Sequence, residues 1–556
     1  MKVYIDEKEY VARDNQTILE LCRENNIEIP TLCYLKDVCE NSSCRMCIVE
    51  VGEKLLTACS TRLVDGMKIK TNSPRVMNSR KMTLKMLVSN HHKDCLNCQK
   101  SGYCSLQKYC AQYGIEEGFD GGEKLEYEID LSSPCIVRDM NKCILCSRCE
   151  KVCSNIQSVN ALTKIGRGFS TKLGCAFDAG IKNSPCVGCG QCTLVCPTGA
   201  LVEKDDTKKL LGMLEDKDLF VTCQIAPSVR VSLSEAFGMP LGTFEEGKMV
   251  TALKMLGFKK VFDVNMGADF TVKEEAEELV ERIKQNKNLP QFSSCCPAWF
   301  KFVQEHYKSY ETSLSTCKSP TEMLGAIIKN YYTQKYDIPK DKIRTVGIMP
   351  CTAKKGERER AKDVDLVITT RELARLIMQK NINFQNLEPS PFDSPLSEYS
   401  GGALLFGVSG GVTEATLRYA CHILGEDRVD FEEVRGSKGR KEIEVTAGKI
   451  NLKLCVVSGL SNARQVVEDI ISGKSHYDFV EVMACPGGCI NGGGQIWTDF
   501  SRVGVEDVKA QRTKSIYDVD KTKSTRRSFE NKDMQKIYEE FFLDDKKLSH
   551  KLLHIN

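Results

Sequence analysis

Residues 143–153, CILCSRCEKVC, and residues 186–197, CVGCGQCTLVCP, carry the same cysteine spacing and determine one module of the fold. Each run has three cysteines in C-x2-C-x2-C spacing and a fourth after three more residues. Three such thiolates can bind one iron-sulfur cube, and the fourth then crosses to the neighbouring cube. The spacing predicts two 4Fe-4S clusters, one bound by Cys143, Cys146, Cys149 and Cys196, and the other by Cys186, Cys189, Cys192 and Cys153.

This repeat resembles the bacterial ferredoxins, and Pro197 matches their motif, although Ser154 stands where the first run would carry proline. Another cysteine group lies upstream, after the alternating strand pattern KVYIDEKEY. Its C-x10-C-x2-C start is similar to the C-x4-C-x2-C start of plant-type ferredoxins, which bind a 2Fe-2S cluster. A four-cysteine zinc site is the alternative. The predicted ligands are Cys33, Cys44, Cys47 and Cys59, and Cys22 and Cys39 remain as buried thiols.

Between these two modules lies a group of one histidine and three cysteines, His91, Cys95, Cys98 and Cys104. One imidazole and three thiolates can bind either zinc or an iron-sulfur cluster, and spacing alone does not distinguish the two. The neighbouring cluster motifs favour a third 4Fe-4S cluster. His92 is the main rival ligand, and Cys110 is a weaker one.

Length and composition limit the class of protein. The 556 residues exceed what one hydrophobic core supports, so several domains are expected. The net charge of +3 gives no electrostatic footprint for nucleic acid or an anionic membrane. No apolar run is long enough to span a bilayer, and the start lacks a signal region. A cytoplasmic chain is expected, in which 29 cysteines indicate metal ligands rather than disulfides.

Beyond residue 218, short β-rich runs alternate with helical ones, which is typical of α/β architecture with parallel sheets. Ligands in such sheets bind beyond the carboxyl ends of the strands. Residues 226–228, 294–297, 350–351 and 484–485 each follow a strand-like run, so we expect these four loops to converge on one site. Residues 114–133 and 203–218 have the composition of linkers and suggest module boundaries.

Three of the cysteine-bearing loops read FSSCCPAWF (292–300), MPCTAKKGE (349–357) and MACPGGCINGGGQ (483–495). They closely resemble the signature segments of iron-only (FeFe) hydrogenases, and the upstream modules resemble those of the clostridial-type members. The resemblance implies a multidomain α+β and α/β chain. It would comprise a β-grasp 2Fe-2S domain (1–78), a one-His three-Cys domain (79–118), a bacterial ferredoxin-like domain (134–204), a two-lobed α/β catalytic domain with parallel sheets (218–500) and a small-subunit-like segment (501–556).

The resemblance further implies an H-cluster, a 4Fe-4S cube joined to a diiron unit with carbonyl, cyanide and dithiolate ligands. Its cube ligands would be Cys296, Cys351, Cys485 and Cys489, with Cys489 as the bridge. Lys354 and the segment Pro227-Ser228 would donate hydrogen bonds to cyanide, and Met349 and Met483 would pack on the diiron unit. Composition alone predicts a solvated lysine at position 354, within a run of charges. Many relatives carry glutamine at the position of Thr321.

The same resemblance implies a proton route of Cys295, Glu275, Ser315 and Glu278. A thiol can exchange protons near neutral pH, which suits Cys295 to deliver them to the cluster. Helical periodicity gives a different expectation for the two glutamates. In KEEAEELVERI the apolar residues form one face, and both carboxylates lie off it, which predicts solvated side chains.

The predicted activity is reversible formation of H2 from two protons and two electrons, with one 2Fe-2S cluster and three accessory 4Fe-4S clusters joining the H-cluster to ferredoxin or flavodoxin. Maturation proteins would supply the diiron unit. One alternative is the catalytic subunit of an NAD(P)-linked or electron-bifurcating complex. Any nucleotide would then bind another chain, because no G-x-G-x-x-G motif occurs here. A second alternative is a non-catalytic assembly or sensory protein, and a third is an electron-input module.

Overall fold

The structure is a computed structural model, and it describes residues 1–119, 121–357, 360–426, 428–436, 438–447, 450–498, 504–543 and 545–555. The predicted boundary between residues 500 and 501 lies outside these ranges. No helix among the described residues is long and apolar enough to span a bilayer.

The N-terminal module is a mixed five-stranded sheet packed on one helix, as expected for a β-grasp domain. The strand order is β2-β1-β5-β3-β4, in which only β1 and β5 pair in parallel. Thr17 caps the helix through a capping box with Glu20. The elements are β1 Lys2–Ile5, β2 Lys8–Val11, α1 Ile18–Glu24, β3 Ile48–Val51, β4 Lys54–Thr57 and β5 Lys68–Lys70.

Two helices follow, and then comes the dicluster module, which we define as residues 134–204. In this module the outer strands pair with each other and the inner strands form a hairpin, both antiparallel. The helices before it are α2 Pro74–Ser89 and α3 Ser105–Tyr113. The elements within it are β6 Ile136–Arg138, α4 Arg148–Lys151, β7 Thr163–Ile165, β8 Lys172–Gly174, α5 Gln191–Val195 and β9 Leu201–Glu203.

One of the two predicted linkers is structured. Glu203 ends β9 and is fully buried, and the next helix places Leu210 in the core. The Asp and Lys residues of the segment 203–218 lie around this helix. Composition alone therefore gave a wrong prediction of a linker. The described residues between 114 and 133 form no helix or strand, as expected of a connection.

The largest part of the chain has two lobes, each built on a four-stranded sheet. The first sheet, β11-β10-β13-β14, is wholly parallel, and the second, β12-β17-β16-β15, is parallel apart from its edge strand β15. Buried aliphatic residues of the strands form separate cores in the two lobes.

The strands of these sheets are β10 Phe220–Ile225, β11 Lys260–Asp263, β12 Gln291–Phe292, β13 Ile343–Met349, β14 Leu366–Thr369, β15 Arg440–Ala447, β16 Ile450–Ser458 and β17 Phe479–Met483. The helices are α6 Thr207–Glu215, α7 Gly247–Leu256, α8 Val264–Gln285, α9 Pro297–His306, α10 Pro320–Tyr336, α11 Lys354–Glu357, α12 Thr370–Gln379, α13 Gly401–Leu404, α14 Gly411–Ile423 and α15 Leu460–Ile471. The C-terminal segment adds α16 Val505–Thr522, α17 Lys532–Ile537 and α18 Lys546–Leu553.

Candidate active site and iron-sulfur sites

The dicluster module groups the eight cysteines of its two runs in the crossed pattern that their spacing predicts. Two cavities in this module are lined by these cysteines, and Cys175 lines the second cavity in addition. One contains Cys143, Cys146, Cys149 and Cys196, and the other contains Cys153, Cys186, Cys189 and Cys192. In each set three thiols come from one run and the fourth comes from the other. This arrangement fits two cubes with exchanged fourth ligands.

The four cysteines of the N-terminal module are buried and form two pairs. Cys47 Sγ lies 3.3 Å from Cys59 Sγ, and the thiols of Cys33 and Cys44 are hydrogen-bonded to each other. Two pairs of thiols suit a 2Fe-2S cluster, in which each iron takes two cysteine ligands. Cys22 and Cys39 are buried, as predicted for thiols left over from this group.

The predicted group of one histidine and three cysteines lies against the dicluster module. The buried Nδ1 of His91 has no hydrogen-bond partner among the described residues, so a metal ion can use its lone pair. Burial and the charge of Lys142 lower the pKa of His91 to about 4, which keeps the ring in the neutral, metal-binding form. A Cβ on Gly199 would lie 2.5 Å from Cys98 Sγ, so glycine is required for this approach. Cys95 and Cys104 are half-buried, as are the rival ligands His92 and Cys110.

In the catalytic lobes, the four predicted loops follow strand ends and converge, as expected for parallel sheets. Cys351 follows β13, Cys485 follows β17, and Cys296 is the N-cap residue of α9 after β12. Burial raises the pKa of each of these thiols, and their mutual repulsion adds to the effect at Cys351 and Cys485. Burial and charge repulsion from Cys351 and Cys296 also raise the pKa of Cys489. Such a group is costly in a folded protein unless a metal neutralises the thiolates.

Glycines allow the loop after β17 to approach its neighbours closely. A Cβ on Gly492 would lie 2.2 Å from the carbonyl oxygen of Pro350, and one on Gly488 would lie 2.6 Å from the backbone nitrogen of Ser409. Gly488 also has a φ of +99°, which side chains disfavour. The backbone nitrogen of Gly494 donates to Pro350 over 2.7 Å. These contacts hold two of the cysteine-bearing loops together.

Polar and soft side chains surround the four thiols. Lys354 is buried and paired with Glu357 at 2.7 Å, so the solvated lysine expected from the charge run is wrong. The neighbouring Glu357 supplies the countercharge that makes this burial possible. The buried hydroxyl of Ser228 has no partner among the described residues and is available to a ligand. Pro227, Met349 and Met483 are buried, and Thr321 Oγ1 lies 3.7 Å from Met349 Sδ.

The residues of the predicted proton route lie near one another, and among the described residues one hydrogen bond is found between its members, from Ser315 to Glu278. Glu275 is buried on α8, and Ser315 is close enough to hydrogen-bond to it. Ser315 Oγ donates to Glu278 Oε2 over 2.8 Å. Arg282 donates to the other oxygen of Glu278 over 2.6 Å. Burial, together with charge repulsion from Glu278 and Glu481, raises the pKa of Glu275 to about 8.

Helical periodicity therefore misplaced both glutamates. Glu275 is 1% exposed, and the side chain of Glu278 is 14% exposed. The reason is that α8 is covered on more than its apolar face, by α10, α14 and the C-terminal segment. Cys295 is half-buried at the inner end of the route, and burial and the neighbouring Glu275 raise the pKa of its thiol.

The dicluster module is bound to the catalytic loops by buried hydrogen bonds. Gln157 Nε2 donates to the carbonyl of Ala484 over 2.9 Å, and Thr352 Oγ1 donates to that of Gly188 over 2.7 Å. Arg371 joins the two parts through Glu203 of the module and the carbonyl of Gly493. These hydrogen bonds hold the cysteines of the dicluster module close to those of the catalytic loops.

Comparison with known proteins identifies the class to which this fold and site belong. The sequence profile described as "Iron only hydrogenase large subunit, C-terminal domain" matches residues 220–493. Profiles for a 2Fe-2S iron-sulfur cluster binding domain, an NADH-ubiquinone oxidoreductase-G iron-sulfur binding region, a 4Fe-4S dicluster domain and an iron hydrogenase small subunit match residues 1–74, 80–118, 142–200 and 506–556, respectively.

Individual relatives cover the whole chain. The sequence is 42% identical to the NADP-reducing hydrogenase subunit HndD of Solidesulfovibrio fructosivorans, over 100% of this chain and 98% of that protein. It is 36% identical to iron hydrogenase 1 of Clostridium pasteurianum, over 99% of both chains. An apo FeFe-hydrogenase from Chlamydomonas reinhardtii superposes with a TM-score of 0.56 at 32% identity, over 64% of this chain and 98% of that one. The chain belongs to the iron-only hydrogenase family, whose members bind iron-sulfur clusters including the H-cluster.

Two features of the site were not found from the sequence. One is the buried ion pair between Arg371 and Glu203. Glu203 was interpreted as the first residue of a linker. The other is His554, which had been assigned no chemistry. His554 Nδ1 lies 2.8 Å from Thr316 Oγ1, and Nε2 lies 2.9 Å from Glu274 Oε2. The only available signal was the pair His550 and His554, four residues apart on one helical face.

Proposed function

We propose that this chain catalyses the reversible reaction 2H⁺ + 2e⁻ = H2. The observation that carries this proposal is the convergence of Cys296, Cys351, Cys485 and Cys489 beside a line of proton-exchanging side chains. When bound there, the H-cluster supplies the iron chemistry that joins protons and electrons. The four thiolates would bind its cube, with Cys489 as the bridge. The matching N-terminal modules would bind one 2Fe-2S and three accessory 4Fe-4S clusters.

The protein's own side chains perform the proton transfer in this proposal. Cys295 holds the proton nearest the cluster and is resupplied by Glu275. Because the pKa of Glu275 is about 8, the carboxyl is largely protonated at neutral pH and can give up a proton. Ser315 then passes protons between Glu275 and Glu278, where Arg282 fixes the carboxylate. The hydrogen bond from Ser315 to Glu278 and the influence of Glu275 on the pKa of Cys295 support this order of transfer.

The protein also excludes water and orients the cluster. Ser228 and Lys354 would donate hydrogen bonds to the cyanide ligands, since both are buried and the Ser228 hydroxyl has no partner among the described residues. Pro227, Met349 and Met483 form the apolar wall. Electrons arrive through the dicluster module, whose Cys189 is close enough to Cys485 to affect its pKa.

Infrared spectroscopy of anaerobically purified protein, produced together with maturation proteins, tests the proposal. We expect bands in the metal-carbonyl and cyanide stretching regions, together with H2 evolution from reduced methyl viologen. Absence of both, in protein whose 4Fe-4S clusters are intact, would contradict the catalytic function. That outcome would favour an assembly or sensory protein on the same scaffold.

The electron partner is proposed separately from the reaction. Ferredoxin or flavodoxin is the first candidate, because three modules with four clusters in sequence would provide an entry for a one-electron carrier. A specific observation favours a second candidate: the relative that is 42% identical over the whole chain is named as a subunit of an NADP-reducing hydrogenase. In that case the nicotinamide and any flavin would bind another chain, since this sequence has no dinucleotide-binding motif.

Purification from the native cells distinguishes the two partners. A flavin-binding subunit that co-purifies and confers NADP⁺ reduction by H2 would establish the complex. A single chain that exchanges electrons rapidly with ferredoxin, and not with NADP⁺, would establish the ferredoxin-linked enzyme. The proposed H2 chemistry is common to both results.

A further inference from the structure

The outer end of the proton route contains three side chains that are suited to a transition metal. A carboxylate oxygen of Glu278, Cys317 Sγ and a ring nitrogen of His554 lie within 4.8 Å of one another. His554 is buried and comes from the C-terminal segment, whereas the other two belong to the catalytic lobes. We propose that Glu278, Cys317 and His554 form a zinc-binding site. None of the three belongs to the predicted cluster ligands.

The ligand set and its spacing favour zinc. One sulfur, one nitrogen and one oxygen ligand, with water in the fourth position, are typical of zinc in proteins. Cys317 Sγ and Glu278 Oε2 are 3.9 Å apart. Tetrahedral zinc with ordinary bond lengths places a sulfur and an oxygen ligand about 3.6 Å apart. A movement of a few tenths of an ångström is therefore enough to bind the ion with these two atoms.

Glu274 prepares His554 to act as a ligand. Its carboxylate accepts a hydrogen bond from His554 Nε2, which leaves the lone pair on Nδ1. The hydroxyl of Tyr538 also donates a hydrogen bond to this carboxyl group. A carboxylate on the far nitrogen is the usual second partner of a zinc-bound histidine. Zinc would replace Thr316, whose hydroxyl now bonds to Nδ1.

The C-terminal segment is held in place independently of the histidine ring. The backbone nitrogen of Lys318 donates to Leu553 over 2.8 Å, and that of Ile555 donates to Thr316 over 2.9 Å. These bonds flank His554 on both sides. Replacing its side chain should therefore remove the ligand and leave the segment bound to the catalytic lobes.

Zinc at this site would interrupt the proton route, a consequence that rests on the proposed function. Arg282 donates to Glu278 Oε1, whereas Oε2 faces Cys317, so Oε2 is the oxygen that would bind the ion. Oε2 also accepts from the backbone nitrogen of Thr316 over 3.1 Å. The same Oε2 accepts the hydrogen bond from Ser315. A bound zinc ion would displace this bond and separate Glu278 from the rest of the route. The site would therefore inhibit turnover in both directions.

The test uses the full cluster-loaded chain and Zn²⁺ alone, in buffers that fix the free zinc concentration. Elemental analysis after dialysis should show one added zinc per wild-type chain with unchanged iron content. X-ray absorption at the zinc edge should show one sulfur ligand at about 2.3 Å. His554→Ala and Cys317→Ser should each weaken binding by at least about tenfold. His422→Ala, at an exposed histidine of α14, should bind like the wild type.

Turnover is measured at the same free zinc concentrations. H2 evolution should fall as zinc binds to the wild type and should persist in His554→Ala, whose activity without zinc reports correct folding. Equal zinc affinity in the wild type and both ligand variants, or a bound ion with no sulfur ligand, would overturn the site. Zinc binding with the expected ligands but full turnover would support the site and contradict the proton route instead.

Discussion

The dicluster module and the catalytic site collect their cysteines over very different lengths of chain. All eight predicted ligands of the module lie between residues 143 and 196, in two short runs. The four thiols of the catalytic site lie between residues 296 and 489 and follow strands of both lobes. The first arrangement depends on local spacing. The second depends on how two sheets pack, so it is the more sensitive to changes elsewhere in the fold.

The two sites also differ in what surrounds the thiols. The cavities of the dicluster module are lined largely by aliphatic side chains and cysteines. The catalytic site has a buried lysine, a serine hydroxyl with no partner in the part of the chain that the structure describes, and two nearby carboxyl groups, those of Glu275 and Glu278. An electron carrier needs only insulation and a fixed distance, whereas a site that handles protons also needs polar groups. Substitutions should therefore separate electron transfer from turnover.

The largest expected effect is at the bridging ligand. Cys489→Ala should abolish H2 evolution, because the diiron unit would lose its link to the cube. The accessory clusters should remain, since their ligands lie in other modules. Electron paramagnetic resonance of the reduced protein measures those clusters, and a viologen assay measures turnover. Cys421→Ala, a buried cysteine of α14 outside the site, is the matched control. Turnover in Cys489→Ala near the wild-type rate would refute the ligand assignment.

The next effect concerns the proton route alone. Cys295→Ser should reduce turnover by at least about 100-fold, because a hydroxyl is a much weaker acid than a thiol and this group acts in general acid catalysis. All cluster signals and the carbonyl and cyanide bands should be retained. Serine keeps the size of the side chain, which makes a packing defect a poor explanation for any loss. Full activity in this variant would eliminate Cys295 as the proton donor.

The same contrast explains how much could be predicted from the sequence. The crossed grouping of the dicluster cysteines follows from spacing alone, and the strand-end loops follow from βα alternation. The burial of Lys354 and Glu275 could not be predicted from either pattern. Each lies in a run of charges, and composition does not show that Lys354 pairs with Glu357 in the interior or that the helix of Glu275 is covered on several sides. His554 lies more than two hundred residues from Thr316 and Glu274, and no local pattern reports that contact.

A third prediction tests the contact between the two regions. Burial alone would raise the pKa of Glu203, but Arg371 and Arg375 outweigh it and hold the pKa well below its usual range. Glu203→Gln leaves Arg371 buried without its countercharge, which costs about 3–5 kcal/mol. Hydrogen exchange of amides in residues 191–195 and 493–497 should accelerate accordingly. Lys514→Gln breaks an exposed pair with Asp518 and should cost less than about 1 kcal/mol. Equal protection in both variants would contradict this account.

The smallest effect concerns pH. Glu481 is buried and raises the pKa of Glu275 by charge repulsion, but it lies outside the proton route. Glu481→Gln removes this negative charge, and its single amide oxygen can keep the hydrogen bond from the backbone nitrogen of Gly410 but not also that from Thr413. The ionised form of Glu275 is then less disfavoured, so its pKa falls from about 8. Glu275 loses its proton at a lower pH, and the alkaline decline of H2 evolution should shift in the same direction.

The control for this shift is Glu468→Gln, at an exposed carboxylate that bonds to Tyr307. Its pH profile should match that of the wild type. An unchanged profile in Glu481→Gln would mean that Glu275 does not limit proton supply at alkaline pH. A shift to higher pH would contradict the sign of the interaction itself, since removing a negative neighbour can only favour ionisation of a carboxyl group. The direction of this small shift therefore tests whether a buried carboxyl group, and not only the cysteines, distinguishes the catalytic site from the dicluster module.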